Sequence, residues 1–308
     1  MTFLGIEIGG TKLQIVLGDE HGTIHQRFRR TVAKELGAVG IRAQIEAVLR
    51  DELPKVADKP AAIGVGFGGP VDWATGRIAK SHQIEGWSGF EIAGWLHGLT
   101  ALPVHVDNDA NVAALGEAIH GAGRGANPVF YITMGSGVGG GLVVDGRIFH
   151  GAKPGESEIG HVRLDKSGVL VEERCSGWAV DRRIREAVAL HPHGPLGIHA
   201  ANLTRGEARA LAPALAENDP LAHAILSEFA DNLAFGLSHV VHLMHPERMV
   251  LGGGLSLLGE PLRGAVAAAL PRYVMEVFGR GPELVLAGLG EDAVPVGCLA
   301  LMAQRMGK

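Results

Sequence analysis

The sequence predicts an α/β protein built around a duplicated unit of three strands and a helix. Apolar runs bounded by glycine turns alternate with segments of helical periodicity, which is the pattern of α/β proteins. The order strand, glycine turn, strand, turn, strand occurs over residues 5–24 and again over residues 129–149. Such a duplication predicts two similar lobes that face a cleft and hold one ligand between their glycine turns.

Each predicted element has its own signal. Helices are predicted where apolar residues recur at three- and four-residue spacing, as they do for Ile41, Ile45 and Val48. Strands are predicted for short apolar, β-branched runs that end at glycine or proline. The predicted strands are 3–8, 12–17, 61–67, 104–106 and 249–251, and the predicted helices are 39–53, 110–120, 221–241 and 295–305.

Composition and charge exclude several classes of protein. The net charge is -5 and there is no dense block of Lys or Arg, so we expect no binding to nucleic acid. Cys175 and Cys298 are too few for a disulfide framework and fit a reducing compartment. The chain opens without a secretory leader, and its apolar runs are too short to span a membrane. We therefore expect a cytoplasmic protein with no membrane partner.

The glycine clusters suggest a bound polyanion. Glycine-rich turns expose backbone N–H groups that can surround phosphate oxygens. A tight hairpin or bulge is the alternative for either turn alone, but two matching turns and a third cluster at 252–254 favour phosphate. Residues 64–69 and 135–140 also satisfy G-x-G-x-x-G, yet no helix begins within either motif, which disfavours a dehydrogenase.

Several ordered motifs carry a resemblance to a known family. GIEIGGTK at 5–12, VDNDANVAALGE at 106–117, TMGSGVGGG at 133–141 and GESEIGH at 155–161 resemble the motifs of the ROK family of sugar kinases and sugar-responsive repressors. Residues 249–256 and 288–302 resemble its nucleotide-side glycine motif and its closing segment. The resemblance implies the two-lobe fold of actin-like and ribonuclease H-like ATPases, with a duplicated βββαβα core. It also implies a small lobe of residues 1–109 plus 295–308, and a large lobe of residues 110–294 with the nucleotide site and a homodimer surface.

Asp109 is the candidate catalytic residue. It lies between a predicted strand and a predicted helix, where the alternative reading of an Asp is a helix N-cap. By the resemblance, Asp109 is the general base in ATP-dependent, Mg²⁺-assisted phosphorylation of a hexose hydroxyl. Glucose is the first expected substrate, and fructose, mannose and N-acetylated hexosamines are the alternatives. Sugar contacts are expected from Gly69, Asn108, Asp109, Glu158 and His161. Nucleotide contacts are expected from Glu7, Gly9, Gly10, Thr11, Lys12, Thr133, Gly135, Ser136, Gly137, Gly253 and Gly254.

The sequence departs from the family pattern in four places. Glu7 stands where the family usually has Asp, and Gln83 stands where it has a sugar-binding Asn. The family's zinc motif corresponds to residues 171–181, which hold one cysteine, so we expect no structural zinc. Asp181, Glu172 or no residue replaces the sugar-binding Glu that ends that motif.

A sugar sensor or regulator without catalytic activity is the second hypothesis. Repressors of the family carry an additional N-terminal helix-turn-helix domain, whereas this chain opens directly on the first strand of the fold. Asp109, Lys12 and both glycine turns favour the enzyme, while Glu7 and the altered zinc motif leave the sensor open.

Overall fold

The computed structural model describes residues 1–10, 12–81, 84–153, 155 and 157–307. Strands and helices occur close to the predicted places, as at the long helix predicted over 221–241. The strands are β1 Thr2–Ile8, β2 Lys12–Asp19, β3 Ile24–Thr31, β4 Ile63–Phe67, β5 Val71–Asp72, β6 Arg77–Ile78, β7 Val104–Asn108, β8 Val129–Met134, β9 Val138–Val144, β10 Arg147–Ile148, β11 Arg248–Gly252 and β12 Glu283–Leu286. The helices are α1 Gly37–Asp51, α2 Ile92–Thr100, α3 Asp109–His120, α4 Val171–Cys175, α5 Gly177–Leu190, α6 Pro195–Ala200, α7 Leu211–Ala216, α8 Pro220–Met244, α9 Glu260–Ala269 and α10 Ala293–Met306.

Two five-stranded sheets share one topology. The first has the order β3-β2-β1-β4-β7 and the second has the order β10-β9-β8-β11-β12. In the first sheet β2 runs antiparallel to both β3 and β1, whereas β1, β4 and β7 run parallel to one another. In the second sheet β8, β11 and β12 likewise run parallel. The duplicated strand order confirms the α/β prediction made from the repeated glycine-turn pattern.

The described chain forms two compact units. The first consists of residues 1–125, 141–156 and 288–308, and the second of residues 126–140 and 157–287. The first unit thus includes α3 and residues 141–156, which lie outside the small lobe that the resemblance implies. The lobe boundaries remain a prediction.

Helix α10 packs on the first sheet because two strands carry glycine beneath it. A Cβ on Gly64 would lie 2.5 Å from the Cys298 carbonyl oxygen, and one on Gly5 would lie 3.1 Å from the Cys298 Cβ. Either side chain would push the helix away from the sheet. On the opposite face, α1 and α2 contribute buried residues such as Ile41, Ile45 and Leu96 to the apolar core of this unit.

Helix α8 is the main helix of the second unit. The Asp219 carboxylate caps its N-terminus by accepting hydrogen bonds from the Leu221 and Ala222 N–H groups at 2.6 and 3.0 Å. The helix ends where His245 adopts a left-handed conformation ahead of Pro246. Its buried residues include Ile225, Phe229, Leu233 and Leu237, which form the apolar stripe that the spacing predicted.

No helix in the described ranges is both long enough and apolar enough to cross a lipid bilayer.

Candidate active site

Three parallel strands of the first unit end at one edge of the sheet. Ile8 pairs with Phe67 and Phe67 pairs with Asn108 at the carboxyl ends of β1, β4 and β7. The Gly68 N–H donates to the Ile8 carbonyl oxygen at 2.9 Å, which joins the first two loops directly. Ligands of open α/β sheets bind at this edge, because loops from several strands meet there. The fold therefore gathers Gly9, Gly68 and Asp109 in one place.

Asp109 is the first residue of α3 and is half-buried. A Cβ on Gly68 would lie 3.2 Å from Asp109 Oδ2, so glycine leaves room for this carboxylate at the sheet edge. The helix cap that was the alternative role for Asp109 belongs instead to Asn108. The Asn108 Oδ1 accepts from the N–H groups of Ala110 and Asn111 at 2.9 and 3.3 Å.

Asn108 also connects two of the predicted sugar-binding residues. Its Nδ2 donates to the Gly69 carbonyl oxygen at 3.1 Å. Gly69 has a φ of 153°, and a Cβ there would lie 3.0 Å from the Lys80 carbonyl oxygen. The Asn108 side chain thus holds the loop after β4 against the start of α3.

The first glycine turn joins β1 to β2. The Gly9 N–H donates to the Lys12 carbonyl oxygen at 3.0 Å, and Gly10 follows at the tip. Thr11, which was predicted to bind nucleotide, lies outside the described residues, as does Gln83. Lys12 Nζ lies 3.3 Å from Glu7 Oε2 and its side chain is one-third exposed.

Glu7 lies in a mostly buried polar row across β1, β2 and β3. Its side chain is 14% exposed, and burial raises its pKa, although Lys12 and a hydrogen bond from Gln14 oppose the shift. Gln14 is fully buried, and its Nε2 donates to Glu7 Oε2 at 2.9 Å. Its Oε1 accepts from Arg27 and Arg29 at 2.7 and 2.8 Å. Gln14 was not among the predicted site residues, although a polar residue between Leu13 and Ile15 in an otherwise apolar strand indicates a specific role.

The second unit has a corresponding edge at the ends of β8 and β11. Thr133 pairs with Gly252 in the parallel ladder, so residues 133–137 and Gly253 meet there. Gly253 has a φ of 79°, and a Cβ on it would overlap the Met134 backbone. A residue with a side chain is strained in that conformation, which explains the glycine. Gly254, in contrast, has no heavy atom within 4 Å of a built Cβ.

The second glycine turn packs against α4 and α5. The Gly135 N–H donates to the Gly137 carbonyl oxygen at 3.0 Å, and Ser136 lies between them at the tip of the turn. Gly177 N–H donates to the Gly135 carbonyl oxygen at 2.7 Å. Glu172 Oε2 accepts from Val138 N–H at 2.8 Å, beside Gly137. Contacts from the first turns of α4 and α5 therefore hold the backbone of this glycine turn in place.

Glu158 and His161 form a pair within the second unit. His161 Nδ1 lies 3.7 Å from Glu158 Oε2, and their side chains are 69% and 47% exposed. Gly160 between them packs so closely on the Val138 carbonyl that a Cβ would overlap it. The two side chains are therefore presented to solvent next to the strand that follows the second glycine turn.

Asp181 and Glu172, the two alternatives for the missing sugar-binding Glu, have different surroundings. Asp181 is buried, and its carboxylate accepts a hydrogen bond from the Ala208 N–H at 2.8 Å, which is not part of the glycine turn. Glu172 contacts the turn itself. Both carboxylates thus accept backbone hydrogen bonds, and the replacement of the missing Glu by Asp181, Glu172 or no residue stays a prediction.

Within the described ranges, His, Cys, Asp and Glu side chains nowhere form a group of three or more placed to hold a metal ion. Cys175 is buried, and desolvation raises the pKa of its thiol well above the usual value. The expected absence of structural zinc remains a prediction.

The family of this chain is established by a match to a family sequence model. The sequence model of the ROK family matches residues 3–305. The chain belongs to the ROK family. The prediction made from its ordered motifs is thereby confirmed.

Proteins similar to this chain match it over almost its whole length. The chain is 32% identical to a glucokinase of Halalkalibacterium halodurans, over 96% of this chain and 93% of that protein. It is 28% identical to a glucokinase of Thermotoga maritima, over 100% of this chain and 99% of that protein. The structure matches a ROK family glucokinase from Streptomyces griseus, solved with glucose and AMPPNP, at a TM-score of 0.84 and 28% identity. That match covers 98% of this chain and 99% of the other, and it confirms the predicted actin-like ATPase fold.

Proposed function

We propose that this ROK protein is an ATP-dependent hexose kinase of the glucokinase type, with Asp109 as its general base. The observation that carries the proposal is the half-buried Asp109 carboxylate at the ligand-binding edge of the first sheet, beside Gly68. The glucokinase relatives and the structural match to a kinase holding glucose and AMPPNP support the same reaction.

Asp109 would accept the proton of the sugar hydroxyl as that oxygen attacks the γ-phosphorus of ATP. The new P–O bond forms on the sugar, the bond to the β-phosphate oxygen breaks, and ADP leaves. A positioned carboxylate is the group such proton transfer needs, and the remaining barrier is lowered by orientation and by stabilising charge. Because the cap of α3 is supplied by Asn108, the Asp109 carboxylate is not required for that role.

The glycine turns of each unit would supply the nucleotide contacts. In the first unit, these are the N–H groups of the Gly9–Gly10 turn, with Thr11 and Lys12, beside the Glu7 carboxylate. In the second unit, they are the N–H groups and hydroxyls of Thr133, Gly135, Ser136 and Gly137, together with Gly253 and Gly254. Nucleotide-bound Mg²⁺ uses only one or two protein carboxylates, and Glu7 fits that requirement with its partly exposed side chain. When bound, Mg²⁺ neutralises charge on the phosphates.

The predicted sugar-binding residues are distributed over the two units. Gly69, Asn108 and Asp109 belong to the first unit, and Glu158 and His161 to the second. Glucose is the first candidate substrate, since glucokinases are the named relatives.

A catalytically inactive sugar sensor is the second candidate, and Glu7 is the observation that favours it. The Glu7 carboxylate is held by Lys12 and Gln14, and its extra methylene changes its reach compared with Asp.

We further propose a homodimer in the cytoplasm, where ATP is available. Light scattering coupled to size-exclusion chromatography measures the oligomeric state.

A coupled ADP-release assay over glucose, fructose, mannose and N-acetylated hexosamines separates the two candidates. The kinase predicts turnover with ATP, Mg²⁺ and at least one hexose, most strongly with glucose. Sugar binding by calorimetry without ADP release for any hexose would favour the sensor.

A further inference from the structure

Asp107 is a buried carboxylate two residues before the proposed base. Its side chain is 4% exposed, and Oδ1 accepts from the Asn108 N–H at 2.8 Å and from Asn111 Nδ2 at 3.1 Å. Oδ2 lies 2.6 Å from His150 Nε2. A buried carboxylate is costly unless its oxygens are paired, so this set of partners fixes its position.

His150 is in turn held in place by the loop that follows β5. Its side chain is 13% exposed, and its ring stacks on Trp73 with centroids 4.2 Å apart and planes at 22°. Lys153 Nζ lies 5.4 Å from the centre of the Trp73 ring and 2.8 Å from Asp72 Oδ1. The segment after β10 is thus anchored by aromatic stacking and an ion pair, all within the first unit.

These contacts form a hydrogen-bonded path around Asp109. His150 pairs with Asp107, and Asp107 accepts a hydrogen bond from the backbone N–H of Asn108. The side-chain amide of Asn108 in turn bonds the Gly69 carbonyl oxygen and the Ala110 N–H at the start of α3. Asp109 lies directly between Asn108 and Ala110, whose backbone N–H groups are both fixed by this path. A shift of Asp107 would therefore move the backbone that aims the Asp109 carboxylate.

We propose that His150 is a positioning residue for phosphoryl transfer, acting through Asp107 on the turn that presents Asp109. The inference rests on the proposed kinase function and deepens it. Neither His150 nor Asp107 is required to touch a substrate. Their effect is on the geometry of the proton acceptor, to which turnover is sensitive because a displacement of about 1 Å can cost about 100-fold in rate.

The primary test replaces His150 by Phe and by Gln. His150→Phe keeps a ring to stack on Trp73 but removes the group that pairs with Asp107. We expect kcat with glucose to fall by about 10- to 100-fold, while KM for ATP stays within about twofold. His150→Gln retains an N–H donor and is expected to recover part of the loss. A merely structural role would instead lower the active fraction and the thermal midpoint while leaving kcat per folded molecule unchanged.

A double-mutant cycle tests whether the effect passes through Asp107. If it does, His150→Phe added to Asp107→Asn lowers kcat by less than about threefold beyond Asp107→Asn alone. Independent, multiplying losses would contradict the proposal. Should His150→Phe fail to fold, His150→Gln and Asp107→Asn carry the test, and unchanged kcat in both would overturn it.

A second His–Asp pair in the same unit provides the control. His25 Nε2 lies 3.3 Å from Asp19 Oδ2 on an exposed hairpin, so His25→Phe is expected to leave kcat within twofold. Failure of the wild-type chain to phosphorylate any hexose would refute the proposed function. An active wild type with an equally active His150→Phe variant would refute only this inference.

Discussion

At the scale of single residues, Glu7 shows how burial and partners compete for one carboxylate. Burial raises its pKa, while Lys12 and Gln14 lower it by a smaller amount. Because the folded pKa lies above the unfolded one, ionised Glu7 destabilises the folded state. This cost is absent well below the unfolded pKa, grows as pH rises towards the folded pKa, and is constant above it.

Glu7→Gln is therefore expected to stabilise the protein in a pH-dependent manner. The thermal midpoint of the variant should exceed that of wild type at pH 8, and the difference should shrink as pH falls to about 4. Differential scanning calorimetry at the two pH values measures it. The exposed Glu85→Gln is the control, with no difference expected at either pH. A variant less stable than wild type at pH 8 would show that the contacts from Lys12 and Gln14 outweigh desolvation.

Individual site residues were predictable where the signal is local. Asp109 and the glycine turns stand next to strand ends that the sequence itself marks, so their place at a sheet edge follows from topology. Gln14 and His150 were not identified, because their roles depend on side-chain contacts that form only in the folded chain. Gln14 bonds Glu7, Arg27 and Arg29 on neighbouring strands, and His150 pairs with Asp107, 43 residues away.

At the scale of elements, the turn after β11 depends on one glycine. Gly253→Ala places a Cβ against the Met134 backbone at a φ of 79°, and we expect a loss of about 2–4 kcal/mol in the free energy of unfolding. Gly254→Ala, where a Cβ would have open space, should change it by less than about 0.5 kcal/mol. Urea denaturation of both variants measures the contrast. Equal stability of the two would contradict the steric account.

Glu117 joins α3 to the segment that precedes α10. Its carboxylate is fully buried and accepts from the N–H groups of Ala122, Gly288 and Leu289 at 2.8, 3.0 and 2.8 Å. Glu117→Ala would leave three N–H groups without this acceptor, and we expect a loss of about 3–5 kcal/mol in the free energy of unfolding.

Glu117→Gln serves as the matched variant for that experiment. It retains one acceptor oxygen and the side-chain volume, so its loss in urea denaturation should be clearly smaller than that of Glu117→Ala. Equal losses would mean that volume, rather than hydrogen bonding, accounts for the contribution of Glu117.

The elements themselves were largely predictable from periodicity and turn residues. Helices α1 and α8 occur where apolar spacing placed them, because each buries one stripe of its surface, whereas α3 is buried on all sides over residues 110–117. Element ends were less predictable, since they depend on caps. Asp219, which begins α8, and Asn108, which begins α3, both cap through side-chain oxygens whose role became clear only in the structure.

At the scale of the whole molecule, the two sheets repeat one strand order, and glycines follow the ends of β1, β4, β8 and β11. A kinase of this kind should be stabilised by its ligands. Glucose or AMPPNP at about 100 times its dissociation constant should each add about 2.7 kcal/mol to the free energy of unfolding. Thermal-shift measurements with galactitol as an inert polyol give the control. No shift with either ligand would contradict substrate binding.

The Asp109→Asn variant tests the central claim most directly. The amide preserves side-chain volume but cannot accept the proton, and general-base catalysis contributes about 10²- to 10⁴-fold. We predict that ADP release with glucose falls by at least 100-fold, while calorimetry shows glucose affinity within a few-fold of wild type. Near-full turnover by Asp109→Asn would contradict the assignment of Asp109 as the general base.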